Sequence, residues 1–204
     1  TVDRFPSPGE TLSGTSLTYG LGGKGANQAA AAAHSGVPVF FVGAVGADPS
    51  GQRLRCDLAS HGVDVTHLRE AEGPSGTALI TVAASGENTI ILDAGANATV
   101  SVEPAKASLF PAPSDIVVLQ AEIPERANAE ALAWAHSFGA RVLLNLAPAR
   151  PTDPALMART DILVVNESEC GLILGTPAPQ TAEEALTAAA VLRERGTACV
   201  LVTL

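Results

Sequence analysis

The feature that most constrains the fold is a series of short apolar runs, separated by longer helical stretches, after residue 38. Four runs rich in Val, Ile and Leu have the length of buried strands, at residues 116–119, 141–145, 162–165 and 198–203. A further buried run covers residues 39–45. Continuous apolar strands separated by helices are typical of a parallel sheet that is covered on both faces. The sequence therefore predicts an α/β fold with a Rossmann-like parallel sheet flanked by helices.

Capping residues mark two of the helices between these strands. Asp48 has the position of an N-cap for a helix that ends at Gly62. Thr181 and Glu184 form a capping box for a helix that ends at Gly196. The other predicted helices cover residues 125–138, a short stretch after Asp153 and a segment that begins at Glu167.

Two regions that lack helices predict a second, smaller β-sheet. Residues 11–19 alternate Leu and Tyr with Thr and Ser, as a half-exposed strand does. Residues 77–83 and 88–92 have the pattern of a hairpin. We therefore expect lid strands within about residues 1–20 and 76–93, projecting from the main sheet. A lid of this kind excludes water when it closes over a substrate.

Composition limits the classes of partner. The chain has 204 residues, enough for one α/β domain, so we predict a single partial domain over residues 1–204. A net charge of −9 disfavours nucleic acid as a partner, because phosphate backbones select clustered Lys and Arg. No apolar run approaches the ~20 residues that a membrane helix needs, so we expect no membrane partner.

The cysteines indicate the cellular compartment, and the two chain ends bear on whether the fold is truncated. Cys56, Cys170 and Cys199 lack metal-binding spacing, and no targeting signal is visible, which favours reduced thiols in the cytoplasm. The chain starts without Met, and its last residues form a buried-type strand with nothing after it. Because uncovered apolar strand edges promote aggregation, we expect the fold to be truncated at both ends.

A glycine-rich segment at residues 20–28 is the most informative motif. Gly20, Gly22 and Gly25 have the spacing of a dinucleotide-binding fingerprint, but the preceding segment is polar, which disfavours a nicotinamide enzyme. Paired glycines allow a ligand to approach the backbone closely, and Lys24 and Asn27 add hydrogen-bond donors on the first helical turn. This arrangement suits a polyhydroxyl ligand. It is also compatible with a plain turn that begins a helix.

Several ordered motifs resemble the ribokinase family of sugar kinases. Residues 22–30 resemble the first signature of that family, and Asn166 with Glu169 resembles its N-x-x-E motif. Further matches along the chain lie at residues 5–11, at the G-x-D-x-x-G turn of residues 46–51, and at residues 94–97 and 144–150. The resemblance extends along the whole chain.

The resemblance implies a set of binding residues. Those that would contact the sugar are Gly23, Lys24, Gly25, Asn27 and Glu122. Asn166 would organise ATP phosphates, Glu169 would organise Mg²⁺ and its waters, and Thr203 would begin a nucleotide-binding loop. Asn166 and Glu169 are also at the positions of a helix capping box, and the two roles are compatible. The glycine-rich segment that supplies the family's general base would follow Leu204, so we assign no catalytic residue within the chain. We expect no useful kinase activity from these 204 residues alone.

The implied activity is ATP-dependent phosphorylation of D-ribose to ribose 5-phosphate by the intact protein. ATP and Mg²⁺ are the implied cofactors, K⁺ is a further candidate, and the family's lids suggest a homodimer formed through the lid. Three alternatives remain open: a kinase of another small substrate (fructose, a keto-deoxy sugar acid or adenosine), a catalytically dead sugar-binding relative, and a nicotinamide oxidoreductase.

Overall fold

The computed structural model describes the whole chain, Thr1–Leu204. Its centre is a four-stranded parallel sheet in the order β10-β9-β8-β7, formed by β7 (Ile116–Gln120), β8 (Arg141–Asn145), β9 (Ile162–Asn166) and β10 (Cys199–Thr203). The four predicted strands and their parallel arrangement are confirmed. The α/β fold with helices around the sheet is confirmed as well.

The predicted helices also form, together with one at the glycine-rich segment. The seven helices are α1 (Lys24–His34), α2 (Pro49–Ser60), α3 (Glu103–Lys106), α4 (Glu125–Ser137), α5 (Pro154–Ala158), α6 (Glu167–Leu174) and α7 (Ala182–Glu194). Asp48 caps α2 by accepting from the Gly51 N–H, and Thr181 caps α7 by accepting from the Glu184 N–H. Gly62 and Gly196 follow these helices with positive φ angles, which favour glycine.

The apolar run at residues 39–45 is two strands, so the prediction of one strand is wrong. β1 (Val39–Phe40) pairs with β3 (Val63–Asp64), and β2 (Gly43–Gly46) pairs with β4 (Leu68–Ala71), both in parallel. The two short strands have different partners, so the pairing is interrupted at residues 41–42. The ring of Phe41 lies against Gly43, where a Cβ atom would come within 2.8 Å of the ring.

The predicted hairpin forms a separate antiparallel pair, but the strand predicted at residues 11–19 does not exist. The pair consists of β5 (Thr77–Val82) and β6 (Asn88–Asp93). The only strand-like contact of the N-terminal segment with this pair is a single bridge between Val2 and Ala83. Every residue from 11 to 19 except Leu12 is exposed. An alternating pattern without a neighbouring strand therefore stays irregular.

The core lies on the four-stranded sheet and its helices. A cluster of 16 buried residues includes Leu119, Leu144 and Leu163 from the strands and Leu132 from α4. Burying a Leu side chain contributes about 1.5–3 kcal/mol, so this cluster fixes the sheet and places its strand ends. A second cluster of six buried residues joins α1 and α2 to the β1–β4 region. None of the helices is both long and apolar enough to cross a membrane.

Candidate active site

Each strand of the parallel sheet ends in a polar residue at the same edge. The last residues of β7, β8, β9 and β10 are Gln120, Asn145, Asn166 and Thr203. Register pairs Gln120 with Asn145 and Asn166 with Thr203, and it places Asn145 opposite Val164. The four positions therefore form a stepped row, in which Asn166 and Thr203 lie two residues beyond Gln120 and Asn145. Ligands of open α/β sheets bind at the carboxyl ends of the strands, which makes this row the candidate site.

A cavity of about 250 Å³ opens at this edge. Four of the residues predicted from sequence line it together: Lys24, Asn166, Glu169 and Thr203. The remaining lining residues are Asn145, Ala147, Val164 and Val165. Residues as far apart in sequence as Lys24 and Thr203 thus line one cavity, because β8, β9, β10 and the start of α1 converge on the same edge of the sheet.

The glycine-rich loop is tied to the predicted carboxylate. The backbone N–H of Lys24, the first residue of α1, donates to Glu122 Oε2 at 2.7 Å. Gly23 precedes it with φ = 95°, a conformation that L side chains rarely adopt, and a Cβ there would lie 3.8 Å from the same oxygen. Glu122 therefore satisfies a free N–H at the start of α1 and lies next to Gly23 and Lys24.

Of the five predicted sugar-binding residues, only Lys24 lines the cavity; Gly23, Gly25, Asn27 and Glu122 do not. Asn27 is exposed, and its side chain makes no hydrogen bond within the chain. Gly25 packs against Gln120, whose Oε1 atom would lie 3.0 Å from an added Cβ. The absence of a side chain at Gly25 thus makes room for a neighbouring side chain. Whether these residues also contact a sugar stays a prediction.

The Asn166–Glu169 pair forms the capping box of α6. The Glu169 N–H donates to Asn166 Oδ1 at 2.7 Å, and the Asn166 N–H donates to Glu169 Oε2 at 2.9 Å. Glu169 Oε1 has no hydrogen-bond partner within the chain, so one carboxylate oxygen remains available at the cavity. No group of three His, Cys, Asp or Glu residues comes close enough to hold a metal ion by itself. The donor set suits a hard cation that takes its other ligands from phosphate oxygens and water.

The G-x-D-x-x-G motif connects α2 to the segment just before the β5–β6 hairpin. Asp48 accepts from the Ser75 N–H, the Gly51 N–H and the Ser75 hydroxyl, each at 2.7 Å. These bonds, led by the one from the Ser75 backbone, hold the pKa of Asp48 below its usual value. A Cβ at Gly46 would lie 2.5 Å from Gly73 O, so the close approach of this loop requires glycine. The motif therefore fixes the chain just before β5.

Three residues of the site were not predicted: Gln28, Gln120 and Asn145. Gln120 Nε2 donates to Gln28 Oε1 at 2.6 Å, and Gln28 Nε2 donates to Asn145 Oδ1 at 3.1 Å. Asn145 also lines the cavity. The available signal was the polar residue that ends each apolar strand of the sheet. Gln28 lies within the signature at residues 22–30, but that motif does not reveal its partners, which are 92 and 117 positions away in sequence.

A known protein family matches the chain along its whole length. A family model described as "pfkB family carbohydrate kinase" matches residues 1–204. A ribokinase from Haemophilus influenzae is 37% identical over 207 residues, which cover 100% of this chain and 67% of that protein. A ribokinase from Bacillus subtilis is 39% identical over 175 residues, which cover 85% of this chain and 59% of that protein. The chain thus spans from 59% to 67% of the length of these relatives.

A solved structure agrees with these sequence matches. The ribokinase of Arabidopsis thaliana, complexed with ribose and ATP, has 32% identity and a TM-score of 0.83 to this chain. The superposition covers 98% of this chain and 66% of the Arabidopsis chain.

Proposed function

Because the chain belongs to the pfkB family of carbohydrate kinases, we propose that the intact protein transfers the γ-phosphoryl group of ATP to D-ribose, giving ribose 5-phosphate. One observation carries the proposal. Lys24, Asn166, Glu169 and Thr203, each predicted to bind sugar, phosphate or metal, line one cavity at the carboxyl ends of a parallel sheet. Similarity to ribokinases, one of them complexed with ribose and ATP, supports ribose as the acceptor.

The sugar side of the site consists of the loop at the start of α1 and the carboxylate beside it. We assign contacts with the sugar hydroxyls to Gly23, Lys24, Gly25, Asn27 and Glu122. Glu122 Oε2 holds the Lys24 N–H, which leaves Oε1 to accept from a hydroxyl group. Polyhydroxyl ligands need several donors and acceptors fixed relative to one another, and this bond provides such a fixed pair.

The phosphate side consists of Asn166, Glu169 and Thr203. Asn166 and Thr203 supply an amide and a hydroxyl next to the cavity, and Glu169 supplies a carboxylate oxygen that the capping box leaves free. Mg²⁺, when bound, would neutralise charge on the transferring phosphate. We assign the proton-accepting base to none of these residues.

The lid pair supplies closure and, we propose, a homodimer contact. β5 and β6 carry exposed apolar side chains on both faces: Leu79 and Ile91 are paired on one face, and Ile80 and Ile90 on the other. One face can cover the sugar while the other packs on a second subunit.

The three cysteines are unpaired, which fits a reducing compartment such as the cytoplasm.

The test is ADP release from ATP·Mg²⁺ by the full-length protein with D-ribose, fructose, adenosine or no sugar. We expect release to depend on ribose. Release with another acceptor would keep the kinase and overturn the assignment of the sugar. No release with any acceptor, together with measurable ribose binding by calorimetry, would indicate a sugar-binding relative. Replacing K⁺ by Na⁺ in the same assay tests whether a monovalent cation is needed.

A further inference from the structure

A chain of amide side chains joins the helix of the glycine-rich loop to two strands of the parallel sheet. Gln120, at the end of β7, donates to Gln28 on α1, and Gln28 donates to Asn145 at the end of β8. Asn145 Nδ2 in turn donates to Val164 O on β9 at 3.1 Å. We name Gln28, Gln120 and Asn145 the amide clamp.

The amide clamp has one direction throughout. The NH₂ groups donate in sequence: that of Gln120 to the Gln28 oxygen, that of Gln28 to the Asn145 oxygen, and that of Asn145 to the backbone of β9. Turning over the Gln28 amide would bring donor against donor and acceptor against acceptor. The clamp is fixed further at its origin, because the buried side chain of Asn128 donates to Gln120 O at 2.8 Å. Because both polar atoms of the Gln28 amide are bonded, the clamp holds Gln28 in one arrangement.

The position of Gln28 on the helix connects the clamp to the cavity. Gln28 lies four residues after Lys24 on α1, so the two side chains are on the same face, one turn apart. The bonds of Gln28 fix α1 against the ends of β7 and β8. They therefore also fix the position of Lys24, which lies on the same face of α1, relative to these strand ends. Gly25 permits this approach, since a Cβ there would lie 3.0 Å from Gln120 Oε1.

The phosphate side of the cavity is held by different bonds. Asn166 and Glu169 bond to each other in the capping box of α6, and neither side chain bonds to Gln28 or Gln120. The site thus has two separately supported halves. A change at Gln28 should disturb the half that carries Lys24 and spare the half that carries Glu169.

We propose that Gln28 and Gln120 are positioning residues: through the amide clamp they fix the first turn of α1, and hence Lys24 and the sugar-binding loop, relative to Asn145 and the strand ends. This inference rests on the proposed sugar kinase activity for its kinetic consequence. Its structural consequence, a fixed first turn of α1, is independent of the substrate.

The test uses Gln28→Met in the full-length protein, which keeps the length of the side chain and removes both hydrogen bonds. We expect kcat/KM for the sugar to fall about tenfold, through a higher KM, because two net hydrogen bonds are lost. The KM for ATP·Mg²⁺ should stay unchanged. Gln52→Met is the matched control, because Gln52 is exposed on α2 and its side chain makes no hydrogen bond. It should alter neither constant.

Hydrogen exchange of the backbone amides in α1 is the second readout and needs no activity. Gln28→Met should speed exchange in the first turns of α1 about tenfold, whereas Gln52→Met should not. If α1 loosens but the wild-type protein phosphorylates no sugar, the proposed function fails and the clamp stands. If exchange in α1 is unchanged, or if the KM values for sugar and ATP rise equally, the clamp proposal is overturned.

A third variant covers the case in which Gln28→Met does not fold. Gln120→Met removes the bond to Gln28, together with a longer bond to Val118 O at 3.3 Å, and leaves the Gln28–Asn145 bond in place. We expect a smaller rise in the KM for the sugar and smaller loosening of α1, again with the KM for ATP·Mg²⁺ unchanged. A Gln120→Met protein indistinguishable from wild type in both readouts would contradict the proposal.

Discussion

At the scale of single residues, the account depends on one ammonium and one carboxylate at the cavity. The chain has only two lysines, Lys24 and Lys106, and Lys24 is the one that lines the cavity. An ammonium is a compact charge on a flexible stem, whereas a guanidinium is a larger, planar group. Glu169 is the only acidic residue that lines this cavity, and one of its oxygens is already engaged in capping α6.

Replacing Lys24 tests the role of the ammonium. We expect Lys24→Met to lower kcat/KM for the sugar by about 10–10²-fold, because a charged hydrogen-bond donor to the sugar hydroxyls is lost. Lys24→Arg should recover little of this loss. Lys106→Met is the control, since Lys106 pairs with Glu103 on the surface of α3. Equal values of kcat/KM for the sugar in Lys24→Met and Lys106→Met, measured by steady-state kinetics, would contradict this role of Lys24.

Replacing Glu169 separates its capping role from metal binding. In Glu169→Gln the amide oxygen can still accept from the Asn166 N–H, so we expect the melting temperature to stay close to wild type. The Mg²⁺ concentration for half-maximal activity should rise about tenfold, because the carboxylate charge is gone. Glu184→Gln makes the same change at the third position of α7, where Glu184 accepts from the Gln180 N–H. Equal Mg²⁺ titrations for the two variants would contradict the assignment.

At the scale of secondary-structure elements, predictions succeeded where a local signal suffices. The four apolar strands and the caps at Asp48 and Thr181 were predicted correctly. The length of an apolar run, its periodicity and the identity of a capping residue depend only on residues that are neighbours in sequence. The split of residues 39–45 was missed because β1 and β2 pair with different strands, β3 and β4, and the local pattern does not reveal these partners. The strand at residues 11–19 was wrong because alternation needs a neighbouring strand with which to pair.

The connection between α2 and the lid is testable through Asp48. Asp48→Asn keeps one acceptor oxygen but turns a donor toward the Ser75 N–H, so we expect a lower melting temperature and faster hydrogen exchange at the start of β5. The folded-state pKa of Asp48 is lowered, so its contribution to stability is present above the unfolded pKa of about 3.9 and is lost as the pH falls through the folded pKa. The difference in melting temperature between wild type and Asp48→Asn should therefore shrink below about pH 4.

A matched control is available for this pH series. Asp57 lies on α2, the helix that Asp48 caps. The Asp57 carboxylate accepts no hydrogen bond, whereas the Asp48 carboxylate accepts three, from Gly51 and Ser75. Thermal unfolding of Asp57→Asn should show little change at any pH. A constant difference between wild type and Asp48→Asn from neutral pH to pH 3 would contradict the proposed linkage.

At the scale of the whole molecule, the site exists only because distant segments meet. The sequence predicted Lys24, Asn166, Glu169 and Thr203 individually, and the parallel sheet brings them together because its strands end at one edge. The amide clamp could not be predicted, because its bonds depend on the register of β7 with β8 and on how α1 lies across them. Long-range packing, rather than local pattern, decides such contacts.

The homodimer through the lid is the prediction that belongs to this scale. Ile80 on β5 is 56% exposed, and Ile90, its partner on β6, is 50% exposed. We expect Ile80→Asp to convert the protein to a monomer in sedimentation equilibrium, because an acid would be buried in an apolar contact. Val37→Asp, an exposed apolar position outside the lid, is the control and should leave the mass unchanged. A wild-type monomer, or a dimer that survives Ile80→Asp, would contradict this contact.

The most direct test of the central claim is to identify the phosphorylated product. Full-length protein would be incubated with D-ribose and ATP·Mg²⁺ and followed by ³¹P nuclear magnetic resonance, with Lys24→Met in parallel. We expect ADP and a phosphomonoester on the primary C5 hydroxyl of ribose in equal amounts. Both products should form far more slowly with Lys24→Met. ADP formation without a phosphorylated sugar, or phosphorylation at another carbon, would contradict it.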